Sequence, residues 1–285
     1  MSSIMPYWSQ LWTRFKVKMS DTLPTAVVSA YDNGSSLTVL ESVYGIERHR
    51  ISRQLRASGI RIRQRGELLA YAVNHNAFDE WEPETEYWAG FIMADGCISI
   101  GHGQPEVRVS LSAKDVGHLE KLRSFVQSDR PISRFERISR DSGNIYPYAT
   151  FIIRSSRIVE MLSRAGVVAR KTQTASVVGI ENSKHFWRGL SDGDGSLTFT
   201  SKCPSYQLAG TEALMTQFSN FVERHLGFRP TMGRRKKSFV FWLCQYGRKA
   251  VSLVEFMYRH QCPSLARKQE KAEVFMQHYS RCEVQ

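Results

Sequence analysis

Residues 186–196 read FWRGLSDGDGS. Phe186, Trp187 and Leu190 share one face of a helix, so the stretch opens as an apolar helix, yet it closes on an acid, Asp194. The partial negative charge at a helix C-terminus disfavours a carboxylate there. The placement needs a compensating partner, and the chain makes the same choice twice. Residues 87–100, YWAGFIMADGCISI, again run an apolar helical pattern into an acid and a glycine, Asp95 and Gly96.

These stretches head two copies of one repeat. The first copy closes on ARKTQTA (169–175) and the second on ARKQEKA (266–272), so Asp95 precedes Lys171 by 76 positions and Asp194 precedes Lys268 by 74. In each copy the motif helix leads into an alternating strand, with Ile98 and Ile100 or Leu197 and Phe199 as its apolar members. A second strand follows (EVRVSLSAKD or SYQLAGTE), then a helix (HLEKLRSFVQ or ALMTQFSNFVERHLG), a hairpin and a closing helix (SRIVEMLSRAG or KAVSLVEFMYRH). Val107, Val109 and Leu111 alternate with Arg108, Ser110 and Ser112, the period of a strand with one buried and one wet face. Each copy is expected to form a twisted antiparallel sheet with helices on one face.

Gly90 and Ala94 are four apart, as are Gly189 and Gly193, which leaves a nearly bare stripe on each motif helix. Two such stripes let helix backbones approach closely. Packed through them, with Trp88, Phe91, Trp187 and Leu190 around the seam, the helices would bring Asp95 and Asp194 side by side. Their repulsion and their clash with the helix dipoles are both relieved by a divalent cation. The carbonyls of Ala94 and Gly193, unsatisfied at the helix ends, are further hard oxygen donors. Magnesium suits so sparse a set because it keeps water and takes phosphate oxygens as ligands; manganese is the expected substitute. The plainer alternative is a pair of solvated helix ends followed by glycine. Its recurrence at matching positions in a basic chain favours the metal site.

The two segments resemble the LAGLIDADG motif of the homing endonucleases. WAGFIMADG (88–96) matches at six of nine positions, differing at Trp88, Phe91 and Met93, while WRGLSDGDG (187–195) keeps Gly189, Leu190, Asp192, Asp194 and Gly195. The resemblance covers about residues 85–280. It implies an α+β fold of two pseudo-symmetric αββαββα units whose motif helices form the interface and whose strands make a saddle over the major groove. It implies a metal-dependent, site-specific double-strand DNA endonuclease cutting a long pseudo-palindromic site, with Asp95 and Asp194 as the catalytic metal-binding acids. It also places a basic residue, Lys171 or Lys268, near each scissile phosphate, where a cation would stabilise developing charge. Relatives often carry a polar, water-organising residue at the end of the second strand; here Ala113 and Gly210 stand there, with Lys114 and Thr211 as candidate substitutes. Base reading is expected from the outward residues Ser99, Arg108, Ser110 and Ser112 in one half and Thr198, Thr200 and Gln207 in the other. Arg134, Arg137 and Arg140, with Arg234, Arg235, Lys236 and Lys237, are the expected phosphate clamps.

N-terminal to the repeats, YDNGSSLTVLESVYGIERHRISRQLRASGIRIRQRG (31–66) reads as two short helices around a turn at Gly45. Leu37, Leu40 and Val43 share one face of the first, and Ile51 and Leu55 one face of the second. Arg48, Arg50, Arg53 and Arg56 crowd the rest of the second helix. This resembles a resolvase-type helix-turn-helix with residues 47–58 as recognition helix. The expected organisation is a flexible leader (1–24), the helix-turn-helix module (25–65), a linker (66–84), the first repeat (85–180) and the second (181–285).

Composition agrees with a polyanionic partner. The 285 residues carry a formal net charge of +12 with a pI near 9.6, and no apolar run approaches the roughly 20 residues that span a bilayer. Double-stranded DNA is the expected partner, host intron RNA a secondary one, a membrane none, and the protein a monomer. Cys97, Cys203, Cys244, Cys262 and Cys282 are scattered and form no CxxC, which argues against a disulfide framework or zinc site and for a reducing compartment. Bacterial or phage-infected cytoplasm fits, with an organelle as the alternative because the leader carries Arg14, Lys16 and Lys18 and no acid before Asp21. A silent DNA-binding regulator or an RNA-binding intron maturase would use the same scaffold. Retention of both motif acids favours the nuclease.

Overall fold

The structure, a computed structural model, describes residues 23–32, 35–63, 71–100, 104–139, 142–169, 174–200, 203–234, 239–259 and 262–282, leaving aside the side chains of 199–200 and 278–282. It divides into two compact units at Ala70/Tyr71.

The first unit holds three helices rather than two: α1 (Thr25–Asp32), α2 (Leu37–Tyr44) and α3 (Arg48–Ala57). The additional α1 gives Val27 and Tyr31 to a core completed by Leu40, Ile46, Ile51 and Leu55. Ser36 caps α2, its Oγ accepting from Val39 N at 3.2 Å. Gly45 ends α2 at φ 65°, a left-handed conformation that a side chain would strain. Val43, expected on the buried face, is 68% exposed, because α1 and Ile46 complete the core instead. Arg63 ties the end of the unit to its start. Its guanidinium lies 4.0 Å from the Tyr31 ring centre and donates to Tyr31 O (2.9 Å) and Ser35 O (2.6 Å).

The second unit repeats one arrangement. The first copy runs α4 (Pro83–Asp95), β1 (Gly96–Ser99), β2 (Glu106–Ser112), a 3-10 turn (Ala113–Asp115), α5 (Val116–Phe125), β3 (Ser133–Ile138), β4 (Ile145–Arg154) and α6 (Ser156–Arg164). The second runs α7 (Lys184–Asp194), β5 (Gly195–Thr200), β6 (Cys203–Gly210), α8 (Glu212–Leu226), β7 (Thr231–Arg234), β8 (Phe241–Tyr246) and α9 (Gly247–Tyr258), then adds α10 (Ala266–Cys282). Each copy is αββαββα with one four-stranded antiparallel sheet, ordered β1-β2-β4-β3 or β5-β6-β8-β7. One continuous core joins the helices of both copies to the inner faces of both sheets.

Two boundaries differ from the sequence reading. Residues 71–82, expected as linker, pack on this unit. Phe78 is fully buried and edge-on to Phe125 at 5.4 Å, Asn74 N donates to Val126 O at 2.8 Å, and Arg157 grips Asp79 through two 2.7 Å hydrogen bonds. A segment carrying Phe78 and Trp81 gains more from burial than a solvated tether would. The β1 strand also stops at Ser99, so Ile98 is buried while Ile100 is 65% exposed. Among the described residues no helix is long and apolar enough to cross a membrane.

Candidate active site

The backbones of α4 and α7 touch. A methyl group on Gly90 would overlap the Phe186 carbonyl oxygen, and one on Gly189 would overlap the Tyr87 carbonyl oxygen. Exchanging the copies exchanges the two contacts, as a local twofold axis requires. Trp88, Phe91, Trp187 and Leu190 are buried around this seam. Any side chain at the two glycines would push the helices apart.

At the end of the seam, a Cβ on Gly193 would lie 3.2 Å from Asp95 Oδ2. Asp95 thus reaches the last turn of α7, whose final residue is Asp194. The Asp95 residue is half-buried and Asp194 exposed. Both helices pass directly into strands through extended glycines, Gly96 at φ −83°, ψ 153° and Gly195 at φ −84°, ψ 162°. Their amides donate to Ile92 O and Ser191 O. These are not the left-handed endings found at Gly45 and at Gly227 (φ 72°), so the solvated-cap alternative lacks its usual geometry. The carbonyls of Ala94 and Gly193 lie in the same two last turns. Among the described residues no group of three or more His, Cys, Asp or Glu side chains is placed to hold a metal. Two carboxylates with nearby carbonyls are hard oxygen donors, too few to enclose an ion. They fit a magnesium-like cation that completes its shell with water and phosphate.

Lys268, in the first turn of α10, is 5% exposed, which excludes a solvated helix start. Its ammonium donates to Gly195 O and, at 3.5 Å, to Ser191 O, the carbonyls flanking Asp194. Burial, with Arg267 nearby, lowers its pKa to about 8, while Asp192 and Asp95 act to raise it. The matching Lys171 lies outside the described residues.

Asp192, a retained motif residue given no role by the sequence, is the centre of a buried polar cluster. Its Oδ1 accepts from Tyr258 OH at 2.6 Å, and its Oδ2 from Tyr87 OH at 2.7 Å and Leu265 N at 2.8 Å. Burial raises its pKa despite these three hydrogen bonds and the nearby Arg188 guanidinium. Tyr87 also meets His118 Nε2 at 3.1 Å; burial, then the Lys121 charge, pushes that imidazole down to about 3 and keeps it neutral. Arg188, itself buried, lies over the Tyr258 ring at 4.8 Å and donates to Gln269 Oε1 at 2.8 Å. A buried-side aspartate on an apolar helix was the available signal.

The positions expected to organise water divide. Lys114 is exposed and lines a cavity of about 720 Å³ with Ser110, Ser112, Arg137 and Tyr148. Thr211 is committed elsewhere: its hydroxyl donates to Ala175 O and accepts from Leu214 N at 3.2 Å, capping α8. Thr211 nonetheless borders, with Ala94, Asp194 and Gly210, a cavity of about 230 Å³.

Strand register places the remaining candidates. On the outward face of the first sheet, cross-strand rows run Ser99–Glu106–Arg154, Cys97–Arg108–Ile152, Ser110–Thr150–Ser133, Ser112–Tyr148–Phe135 and Arg137–Tyr146. The second sheet answers with Thr198–Ser205–Tyr246, Ser196–Gln207–Cys244–Thr231 and Ala209–Trp242–Gly233. Ser99, Arg108, Ser110, Ser112, Thr198 and Gln207 therefore face outward as expected, and Arg137 shares their face. Arg134 and Arg234 do not: they are in register with the inward Ala149 and Phe241, because side-chain direction reverses at every residue of a strand. Arg140, Arg235, Lys236 and Lys237, and the side chain of Thr200, lie outside the described residues. Tyr148 of β4 and Trp242 of β8 share these outward faces; an aromatic in a strand reads equally well as core, so the sequence carries no signal for them.

In the first unit Arg48, Arg53 and Arg56 are exposed and Arg50 is half-buried, on a helix whose Ile51 and Leu55 face the core. His49 is exposed beside them, and Ser52 is half-buried.

No protein-family model matches the chain, and no curated protein matches it. Among solved structures, the chain is similar to the LAGLIDADG meganuclease I-AabMI bound to uncleaved DNA, at 12% identity and a TM-score of 0.45 over 72% of this chain and 92% of that one. It is similar to the homing endonuclease I-WcaI bound to its DNA recognition sequence, at 12% identity and a TM-score of 0.49 over 68% and 90%. It is also similar to I-SmaMI bound to an uncleaved DNA target with calcium ions, at 12% identity and a TM-score of 0.43 over 72% and 94%. Likeness at this level leaves the chemistry of the site to be argued from the chain's own residues.

Proposed function

We propose that this protein is a site-specific, divalent-metal-dependent endonuclease that cuts both strands of DNA, using the LAGLIDADG homing endonuclease scaffold. One observation carries the reading: the reciprocal seam at Gly90 and Gly189 delivers Asp95 to the helix end that carries Asp194, with Lys268 buried beside it. Two acids at two helix C-termini oppose both helix dipoles. A cation shared with a phosphodiester offsets that opposition.

Asp95 and Asp194, with the carbonyls of Ala94 and Gly193, would hold magnesium or manganese. When bound, the ion supplies Lewis acidity and a water acidified enough to act as nucleophile. Lys268 holds a positive charge against charge developing on the phosphate; Lys171 is proposed for the same task in the other half. Arg108, Arg137 and Gln207 on the outward sheet faces contact bases or phosphates, and the arginines of α3 add a second basic surface. The net charge of +12 provides the long-range attraction. The proposed partner is duplex DNA bound by a monomer, since one chain supplies both motif helices.

The test is a supercoiled plasmid library incubated with protein and magnesium, followed by sequencing of broken ends. Double-strand breaks at one recurrent site are expected, with cleavage falling by roughly 10³-fold in Asp95→Asn and in Asp194→Asn. Site-specific binding without breaks in any divalent metal would leave a DNA-binding regulator instead.

A further inference from the structure

Asp192 takes no part in the chemistry proposed above, yet its carboxylate is buried and receives hydrogen bonds from three elements. Tyr87 lies on α4, Tyr258 on α9, and Leu265 immediately before α10. The Leu265 backbone is the connection that matters. Its N–H donates to Asp192 Oδ2 at 2.8 Å, and its carbonyl accepts from Lys268 N at 2.8 Å and Gln269 N at 3.0 Å. The backbone of one residue, through its two flanking peptide groups, therefore joins the carboxylate to the backbone of Lys268. The same turn is held from its other side by Arg188, which stacks on Tyr258 and donates to Gln269. Contacts to the first copy anchor the approach, Lys121 Nζ to Ser264 O at 3.0 Å and Arg267 Nε to Asp115 Oδ2 at 3.1 Å. Lys268 then extends to the carbonyls that flank Asp194. In the first motif helix the matching position is Met93, buried and only a weak acceptor.

We infer that Asp192 is a positioning residue that sets the Lys268 ammonium at the paired-acid end of the motif helices. Its catalytic meaning rests on the endonuclease reading, whereas the placement itself does not. Losing the carboxylate frees the start of α10 and lets Lys268 swing toward solvent. Asparagine retains one acceptor oxygen for three donors, so it breaks the arrangement without changing the volume.

The placement is tested on the full chain without metal, by brief acetic anhydride labelling and mass spectrometry, with exposed Lys114 as the internal reference. Labelling of Lys268 relative to Lys114 is expected to rise roughly tenfold in Asp192→Asn, and less in Tyr258→Phe, which removes one donor and leaves the Leu265 bond. Unchanged Lys268 labelling in both variants overturns the inference. Should Asp192→Asn unfold, Tyr258→Phe decides alone. On end-labelled target duplex, Asp192→Asn is expected to slow the same strand as Lys268→Met, so that nicked product accumulates, and the double variant to be no slower than Lys268→Met. Equal slowing of both strands, or losses that add, assigns Asp192 a purely structural role and overturns the positioning. If wild-type protein leaves DNA intact while labelling still responds, the endonuclease reading fails and the placement stands.

Discussion

The two copies agree where their backbones meet and diverge where they face outward. Gly90 and Gly189 make the same contact with the opposite helix, and Asp95 and Asp194 end the same seam. On the sheets, the row Cys97–Arg108–Ile152 has Ser196–Gln207–Cys244 as its counterpart, and Ser110–Thr150–Ser133 has Ala209–Trp242–Gly233. Hardly a row keeps its chemistry. A backbone contact admits only glycine, while an outward strand residue is limited only by what it touches. Two similar helices carrying two unlike faces suit a target whose halves differ in sequence.

The seam offers the severest way to break this comparison. Gly90→Ala and Gly189→Ala each force a methyl group into a carbonyl oxygen, and each is expected to cost more than about 3 kcal/mol in urea denaturation. The two costs should agree within about 1 kcal/mol, and a larger gap would mean that the twofold relation ends short of the energetics. Next comes the motif position where the copies differ. Met93→Leu replaces one apolar side chain by another of similar volume and should cost under about 1.5 kcal/mol. Asp192→Leu strands the donors of Tyr87, Tyr258 and Leu265 and should cost about 3 kcal/mol.

Arg108 and Gln207 occupy equivalent places on the outward faces of the two sheets. Arginine pairs with guanine and glutamine with adenine in the major groove, each at about 1–3 kcal/mol of discrimination. Selection on randomised duplexes should show guanine preference in one half-site, lost in Arg108→Ala, and adenine preference at the equivalent position of the other, lost in Gln207→Ala. Symmetric preferences would remove the functional meaning of the divergence.

The smallest effect concerns pH. Burial lowers the Lys268 pKa from 10.5 to about 8, so between those values the unfolded chain binds more protons than the folded one. Stability of the metal-free protein should therefore rise with pH across that window. The rise should be absent from Lys268→Met, measured by thermal melts in chelator. A flat profile in the parent protein would mean that the ammonium is solvated.

The fold was legible because its signals are local. Apolar spacing in 87–95 and 186–194 marks the motif helices, and the alternation Val107, Val109, Leu111 marks a strand and names its buried face. Misreadings arose where a local pattern had to stand for a distant partner. Val43 fits a helical stripe but has nothing to cover it, and residues 71–82 look like a tether until Phe78 and Trp81 find the core. Arg134 looks like any hairpin arginine until register with Ala149 turns it to the other side.

For the site itself, sequence alone determined the paired acids, the bare stripes that bring them together and the basic character of the surface, because each is written in residue spacing. Tertiary structure alone decided that Lys268 is buried at the Asp194 helix end, that the Thr211 hydroxyl is spent on Ala175 O, and that Asp192 ties α4, α9 and α10 together. Those contacts join residues 36 to 105 positions apart, and spacing within a single element carries no information about which distant donor will fill a carboxylate's lone pairs.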